Sequence, residues 1–424
     1  MDPIQAFIDF LFSTGIGQIF QDPLAGAIQA FFLAIGFLLI YLGLKGIEPL
    51  LMIGIGLGII LANIPGVHLM AVPKPGEPPP MLYALKSIIL DTEIGPILIF
   101  LGLGAMTDFR PLIAQPYTLL LGAAAQLGVV VAMIGALYIG EIGTILGLPL
   151  PRFELHEAAA IGIIGGADGP TTIYVATKIA PSIIGPLAIS VYSYMAAVPL
   201  IQPPIIRLLP KRHRAIKMPM PREVSNLEAL LFPILLLIVS ALLVPSSAPI
   251  IGALAFGNIL RECGIVEVVE RLAKTAANEL MNILTILVTL SVGSTMSYDY
   301  IVTMVGSSPS AIIGFLAKTA FIFIWGLLAF AASTLGGVLL GEALYLITKG
   351  RINPMIGAAG VSAVPMSARV VQREATRVDP SNVIIMQAMG PNVAGVIGTA
   401  TVAGIYIDFV RRFYGAYGYY PWIG

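Results

Sequence analysis

One acid in this chain keeps unusual company. Asp168 lies in Ala160-Ile-Gly-Ile-Ile-Gly-Gly-Ala-Asp168-Gly-Pro-Thr-Thr-Ile-Tyr174, where Gly165, Gly166, Gly169 and Pro170 crowd a single carboxylate within apolar sequence. Pro170 has no amide proton and restricts the residue before it, so a helix entering this stretch breaks at 165–170. The break frees backbone carbonyls and amides beside the acid. Irregular backbone at membrane depth persists only where protein or a watery cavity satisfies it. An ionisable group there marks an ion or proton path.

Other oxygen donors sit in similar settings. Asn353 and Ser362 bracket a second glycine-rich stretch at 353–362, and Asn392 follows Gly390-Pro391 at a third expected break, 390–392. Carboxylate, amide, hydroxyl and freed carbonyl oxygens suit a hard cation. One charge with several neutral oxygens is the donor set of a dehydrated Na+, and a buried carboxyl can hold a proton in its place. Tyr194, in Tyr192-Ser-Tyr194-Met, is placed to hydrogen-bond Asp168 or to supply that proton. Each residue also has a plainer role: Asp168 and Asn392 as helix caps, Ser362 bonded back to its own helix, Tyr194 and Arg369 at a membrane interface. The combination carries the signal.

The elements that must position these groups are membrane helices. The chain has 424 residues, 57% of them hydrophobic and only 11% charged, with a mean hydropathy of +0.93. Soluble domains carry roughly 25% charge, so this is a multi-pass membrane protein. Acids and bases balance at 23 each, which argues against a nucleic-acid partner. The lone Cys263 excludes an intrachain disulfide and a cysteine metal site, and the three histidines lack ligand spacing. No basic n-region follows Met1-Asp2, so no cleavable signal is expected.

In order, an interfacial segment 1–23 precedes apolar runs at 24–44 and 49–64, then a proline-rich loop over 65–82. Further runs cover 83–90, 95–103 and 117–140, with a loop expected over 141–157, and 182–200 follows the Asp168 stretch. Residues 203–226 change character: Arg207, Lys211, Arg212, Arg214, Lys217 and Arg222 mark a cytoplasmic loop by the positive-inside rule. Ala215-Ile-Lys217-Met218 faintly resembles a biotin-attachment site, but the loop has no room for the folded carrier domain such a site needs. Beyond it come 227–244, 249–260, 280–292, two separate runs at 311–332 and 335–347, and 382–407. An aromatic tail, 414–424, holds Tyr414, Tyr417, Tyr419, Tyr420 and Trp422.

The two halves share a plan. Leu101-Gly-Leu-Gly-Ala-Met-Thr-Asp108 aligns with Leu290-Ser-Val-Gly-Ser-Thr-Met-Ser-Tyr-Asp299, and nearly the same offset brings Ile164-Gly165 onto Ile356-Gly357. Paired, interrupted segments at matching positions place a binding site at a repeat interface. The expected fold is an all-α polytopic membrane protein of two repeats, 24–202 and 227–413, inverted and containing re-entrant helices. On the residues alone, a secondary Na+-coupled transporter or a Na+/H+ antiporter fits as well as a pump.

Three motifs narrow this. Gly165-Gly-Ala-Asp168-Gly-Pro-Thr171, Asn353-Pro-Met-Ile-Gly357-Ala-Ala-Gly-Val-Ser362-Ala-Val-Pro-Met-Ser-Ala-Arg369 and Met389-Gly-Pro-Asn392-Val-Ala-Gly closely resemble the β subunits of the biotin-dependent sodium-pumping decarboxylases. The similarity runs from about Gly95 to the end of the last apolar run. It implies a carrier-like core and scaffold in the cytoplasmic membrane. It also implies a separate α carboxyltransferase subunit, a small γ membrane subunit and a biotin carrier protein. The β subunit would decarboxylate carboxybiotin held by the carrier, consume a proton and export Na+. By the same resemblance Asp168, Asn353, Ser362 and Asn392 serve Na+ binding or its gating. Tyr194 and Arg369 serve proton delivery or carboxybiotin binding, Ser362 also faces the biotin, and Gly166 and Gly357 allow close packing.

Overall fold

The computed structural model describes residues 3–265, 269–418 and 420–422, so Tyr419 of the tail lies outside the described residues. It is all-helical among them. The first part contains α1 (Pro23–Leu44), α2 (Pro49–Asn63), α3 (Ile94–Met106), α4 (Thr118–Leu146), α5 (Leu155–Ile164), α6 (Gly169–Ile179) and α7 (Ile184–Ile206). After the basic loop come α8 (Asn226–Leu243), α9 (Ala248–Glu262), α10 (Met281–Ser294), α11 (Pro309–Ile347), α12 (Met366–Val378) and α13 (Ile385–Gly415). Among the described residues six helices are long and apolar enough to cross a membrane, and two bent pairs add to them. The chain is a multi-pass membrane protein.

Local chemistry sets the helix ends. Asp22 caps α1, accepting from the Ala25 amide with Pro23 in the first turn. Reciprocal capping boxes start α5 (Glu154 with Glu157) and α8 (Ser225 with Glu228). A 61° bend divides α7 between Met195 and Ala197, where Pro199 withholds an N–H from the Met195 carbonyl.

Three expectations change. The loop over 141–157 shrinks to 147–154, because α4 continues to Leu146 and α5 starts at Leu155. The runs at 311–332 and 335–347 form one 39-residue helix, α11. Ser333 and Thr334, between the runs, continue the helix, and Gly336 and Gly337 just beyond admit a neighbour's backbone: a Cβ on Gly337 would lie 2.0 Å from the Gly357 carbonyl oxygen. Likewise 390–392 is no break, since α13 runs unbroken through Pro391.

Two ends of the molecule can be told apart by their contacts. At one, the basic loop meets α11 and α13: His213 Nδ1 lies 2.6 Å from Glu342, and Gln387 donates to the Pro219 carbonyl at 2.7 Å. At the other, Lys318 near the start of α11 pairs with Glu157 at 2.7 Å, and Tyr414 near the end of α13 lies 3.3 Å from His156. There a cavity of about 670 Å³ is lined by Arg152, Glu154, His156, Ser182, Met304 and Lys318, among others.

Candidate ion site where two helix breaks meet

Both polar breaks are hairpins, and they enter from opposite ends. The first descends along α5 from the Glu157–Lys318 end and turns at Gly165–Ala167, with Ala167 in the left-handed region (φ 55°). It returns along α6 to Ser182, which lines the same cavity as Glu154 and His156. The second starts at Asn353, runs through a 3₁₀ helix (Pro354–Gly360) to an extended Val361, and returns along α12. Both its limbs hold the basic-loop end. Asn353 Nδ2 donates to the carbonyls of Arg214 (3.1 Å) and Ile216 (2.7 Å), while Glu374 of α12 receives Arg207 (2.8 Å). The two tips touch where the Ser362 amide donates to the Gly166 carbonyl at 2.9 Å.

Asp168 caps α6, its Oδ1 accepting from the Thr171 amide at 3.0 Å. That accounts for one oxygen only. Oδ2 is buried and has no hydrogen-bond partner, although the residue is just 5% exposed. The carboxylate also sits at the positive end of the α6 dipole, which favours its charge. Asp168 lines a cavity of about 250 Å³ together with Ser362, Val364, Tyr192 and Met195. A buried acceptor left without a protein partner and facing a cavity is an atom that a bound water or ion can satisfy.

Oxygen-bearing groups from α4 and α13 close the second tip. The Ser362 hydroxyl lies 2.6 Å from Thr399 Oγ1, and Thr399 in turn donates to Gln126 Oε1 at 3.2 Å. Asn392 Nδ2 donates to the carbonyls of Ala359 (3.0 Å), Val361 (2.7 Å) and Ala363 (3.4 Å). Its Oδ1 is buried without a partner. A Cβ on Gly166 would approach Thr399 Oγ1 to 2.6 Å, and one on Gly357 would meet the Gly337 carbonyl at 2.0 Å.

Thus Asp168, Gly166 and Ser362 come together, and Asn392 grips the backbone beside them. Three expected members stand elsewhere. Asn353 spends its amide on the basic loop. Tyr194 donates to the carbonyls of Ile322 and Phe323 on α11, not to Asp168. Arg369 lies on the exposed face of α12. Sequence reasoning passes over Tyr192, which stands two residues before Tyr194 and whose ring would meet a Cβ on Gly169 at 2.3 Å. It also passes over Thr399, two helical turns beyond Asn392 and so on the same face, and Gln126, an amide inside an apolar run.

Opposed broken helices meeting around a buried carboxylate in a multi-pass membrane protein define an ion-handling membrane protein. Comparison gives the family. Residues 28–410 match the model of the Na+-transporting oxaloacetate decarboxylase beta subunit. The chain is 42% identical to the probable oxaloacetate decarboxylase beta chain of Vibrio cholerae, over 90% of this chain and 95% of that one. It is 46% identical to the glutaconyl-CoA decarboxylase subunit beta of Acidaminococcus fermentans (90% and 93% covered). It is 43% identical to the methylmalonyl-CoA decarboxylase subunit beta of Propionigenium modestum (96% and 99%). The chain belongs to this family of sodium-transporting decarboxylase β subunits.

Proposed function

We propose that this subunit decarboxylates carboxybiotin presented by a separate carrier protein and couples the reaction to Na+ export, with Asp168 as the charged Na+ ligand. The observation that carries the reading is the free Oδ2 of a 5% exposed carboxylate, at the contact of two breaks entering from opposite ends. By the positive-inside rule the basic-loop end faces the cytoplasm. The second hairpin then opens inward and the first outward, so the ion at their tips can face either side in turn. Ser362 and the neighbouring carbonyls complete the oxygen shell, and Asn392 holds those carbonyls in place.

Matched contacts support two inverted repeats around this site. Asn63 at the end of α2 donates to the Met296 carbonyl (2.7 Å), and Asn258 near the end of α9 donates to the Thr107 carbonyl (2.7 Å). Each half reaches into the other at an equivalent place. The units 24–202 and 227–413 are the repeats, 203–226 the cytoplasmic loop, and 1–23 and 414–424 flanking segments.

Arg369 is exposed on the cytoplasmic hairpin, where its planar fork suits the carboxylate of an arriving carboxybiotin. In the reaction the bond from the ring nitrogen to the carboxylate carbon breaks, CO2 leaves, and a proton takes its place on the nitrogen. A proton passing through the Asp168 site would displace Na+ outward. The subunit works with an α carboxyltransferase, a small γ membrane subunit and the biotin carrier in the cytoplasmic membrane.

The test is Asp168→Asn in the intact complex reconstituted into vesicles. Losing a charged ligand worth about 3 kcal/mol lowers Na+-stimulated CO2 release and radiosodium uptake by roughly a hundredfold. Full Na+-stimulated uptake in the variant would remove Asp168 from the ion path.

A further inference from the structure

The cavity at Asp168 holds a second carboxylate. Its lining includes Glu48, Leu50 and Leu51 at the start of α2, Leu103 and Met106 at the end of α3, and Met281 and Thr285 at the start of α10. Met106 fixes which end of the molecule these belong to. Its carbonyl accepts from Arg261, beside the Arg110–Glu262 pair (2.6 Å) whose Arg110 also reaches Asn226, where the basic loop runs into α8. Exposure falls inward along the cavity, from Met106 (49%) and Leu50 (39%) through a half-buried Glu48 to Asp168 (5%). Among the described residues lining it there is no Lys, Arg or His.

Glu48 is held in an unusual way. Its backbone is left-handed (φ 40°), a region that residues with a Cβ seldom adopt. Its carbonyl accepts the amides of Leu51 (3.1 Å) and Met52 (3.0 Å), which starts α2. The carboxylate forms no hydrogen bond or ion pair with any described residue, and burial pushes its carboxyl above the ordinary range. Residues held in sparsely populated backbone conformations cluster at functional sites.

We propose that Glu48 is the entry carboxylate of this cavity: it draws a monovalent cation from the basic-loop side and passes it to Asp168. This rests on the ion-site reading of Asp168 given above. Two carboxylates without a counter-cation focus a negative potential into a low-dielectric channel, and such focusing raises the local cation concentration. Glu48 is a positioning residue that acts on loading, so its removal changes the Na+ requirement and leaves the maximal rate intact.

The experiment uses the intact complex in vesicles, with Na+-dependent decarboxylation followed against Na+ concentration. Glu48→Gln raises the Na+ concentration for half-maximal rate by about three- to tenfold, the rate at saturating Na+ being unchanged. Adding choline chloride narrows the gap, because screening weakens an electrostatic lure, and Glu48→Asp recovers most of the native affinity. The Na+-induced rise in thermal midpoint, measured on the same preparations, moves to higher Na+ by the same factor. An unchanged half-maximal concentration in Glu48→Gln overturns the proposal, as does a lost rate that Na+ cannot restore, which marks a structural role. Asp168→Asn is run alongside. If it loses Na+ dependence while Glu48→Gln behaves as native, only the entry role falls; if it keeps Na+ dependence, both readings fall.

Discussion

The two hairpins that meet at the centre are built to different ends. The first leaves an acceptor free: Asp168 caps α6 with one oxygen and keeps the other unpartnered. The second is already stitched. One amide, Asn392 Nδ2, holds three of its carbonyls, and Asn353 ties its base to the basic loop. Charge is therefore kept on one tip and backbone rigidity on the other. An ion at such a junction gains its electrostatic attraction from the first hairpin and a fixed oxygen frame from the second. Rocking the surrounding helices while the two tips stay joined would show the same junction to one side and then the other, as an alternating-access device requires.

This contrast can be broken most forcefully at the glycines. Gly357→Ala puts a Cβ 2.0 Å from the backbone oxygen of Gly337, and neither backbone can yield without parting α11 from the second hairpin. A loss above about 3 kcal/mol is expected, read as a sharp fall in thermal midpoint or in assembled complex. Gly166→Ala meets a side chain instead, Thr399 Oγ1 at 2.6 Å. It should fold, and should weaken Na+ affinity by displacing Thr399 from Ser362. Equal damage from both would erase the distinction between a stitched tip and an open one.

Asn392→Ala comes next. It deprives the carbonyls of Ala359, Val361 and Ala363 of their donor in a buried setting, at about 1–3 kcal/mol. The expected signature is lower stability with the frame loosened, so that Na+ also protects less. Saturating Na+ at a hundredfold excess over its dissociation constant adds about 2.7 kcal/mol to a protein with an intact site. A native-like Na+ protection in Asn392→Ala would show that the carbonyl frame does not contribute to the site. Ser362→Ala is milder, about 1 kcal/mol, because the Ser362 amide still joins the tips.

Much of this architecture was legible. The ends of α1 and α2 follow from Asp22-Pro23 and from Asn63-Ile-Pro65, where capping and proline rules act locally. The break at Asp168 follows from the same local chemistry. What local rules misjudge is glycine and proline whose purpose lies on another helix. Ser333-Thr334 separates two apolar runs in the sequence, yet α11 runs through it, and the adjoining Gly336-Gly337 form a smooth face against α4 and the second hairpin. Pro391 resembles a helix stop, yet the surrounding helices tolerate it inside α13, as buried membrane helices can. Asn353 looked like a ligand because its partners, the carbonyls of Arg214 and Ile216, lie 139 and 137 residues away in sequence. Glu48 carried no motif, and only the cavity brings it to Asp168.

The smallest effect separates two tyrosines that differ by two positions. Tyr194 spends its hydroxyl on carbonyls of α11, so Tyr194→Phe removes a hydrogen bond between α7 and α11 and costs about 1 kcal/mol of stability. It leaves the Na+ requirement alone. Tyr192 packs its ring against Gly169 and lines the Asp168 cavity. Tyr192→Phe keeps that ring contact and removes only a hydroxyl from the lining, so stability should stay within about 0.5 kcal/mol of native. If the open tip uses its lining oxygens, the Na+ concentration for half-maximal decarboxylation rises a few-fold in Tyr192→Phe and stays native in Tyr194→Phe. The reverse pattern would place the sensitive tyrosine at the α7–α11 contact and make movement of α11, rather than the cavity lining, the determinant of ion affinity.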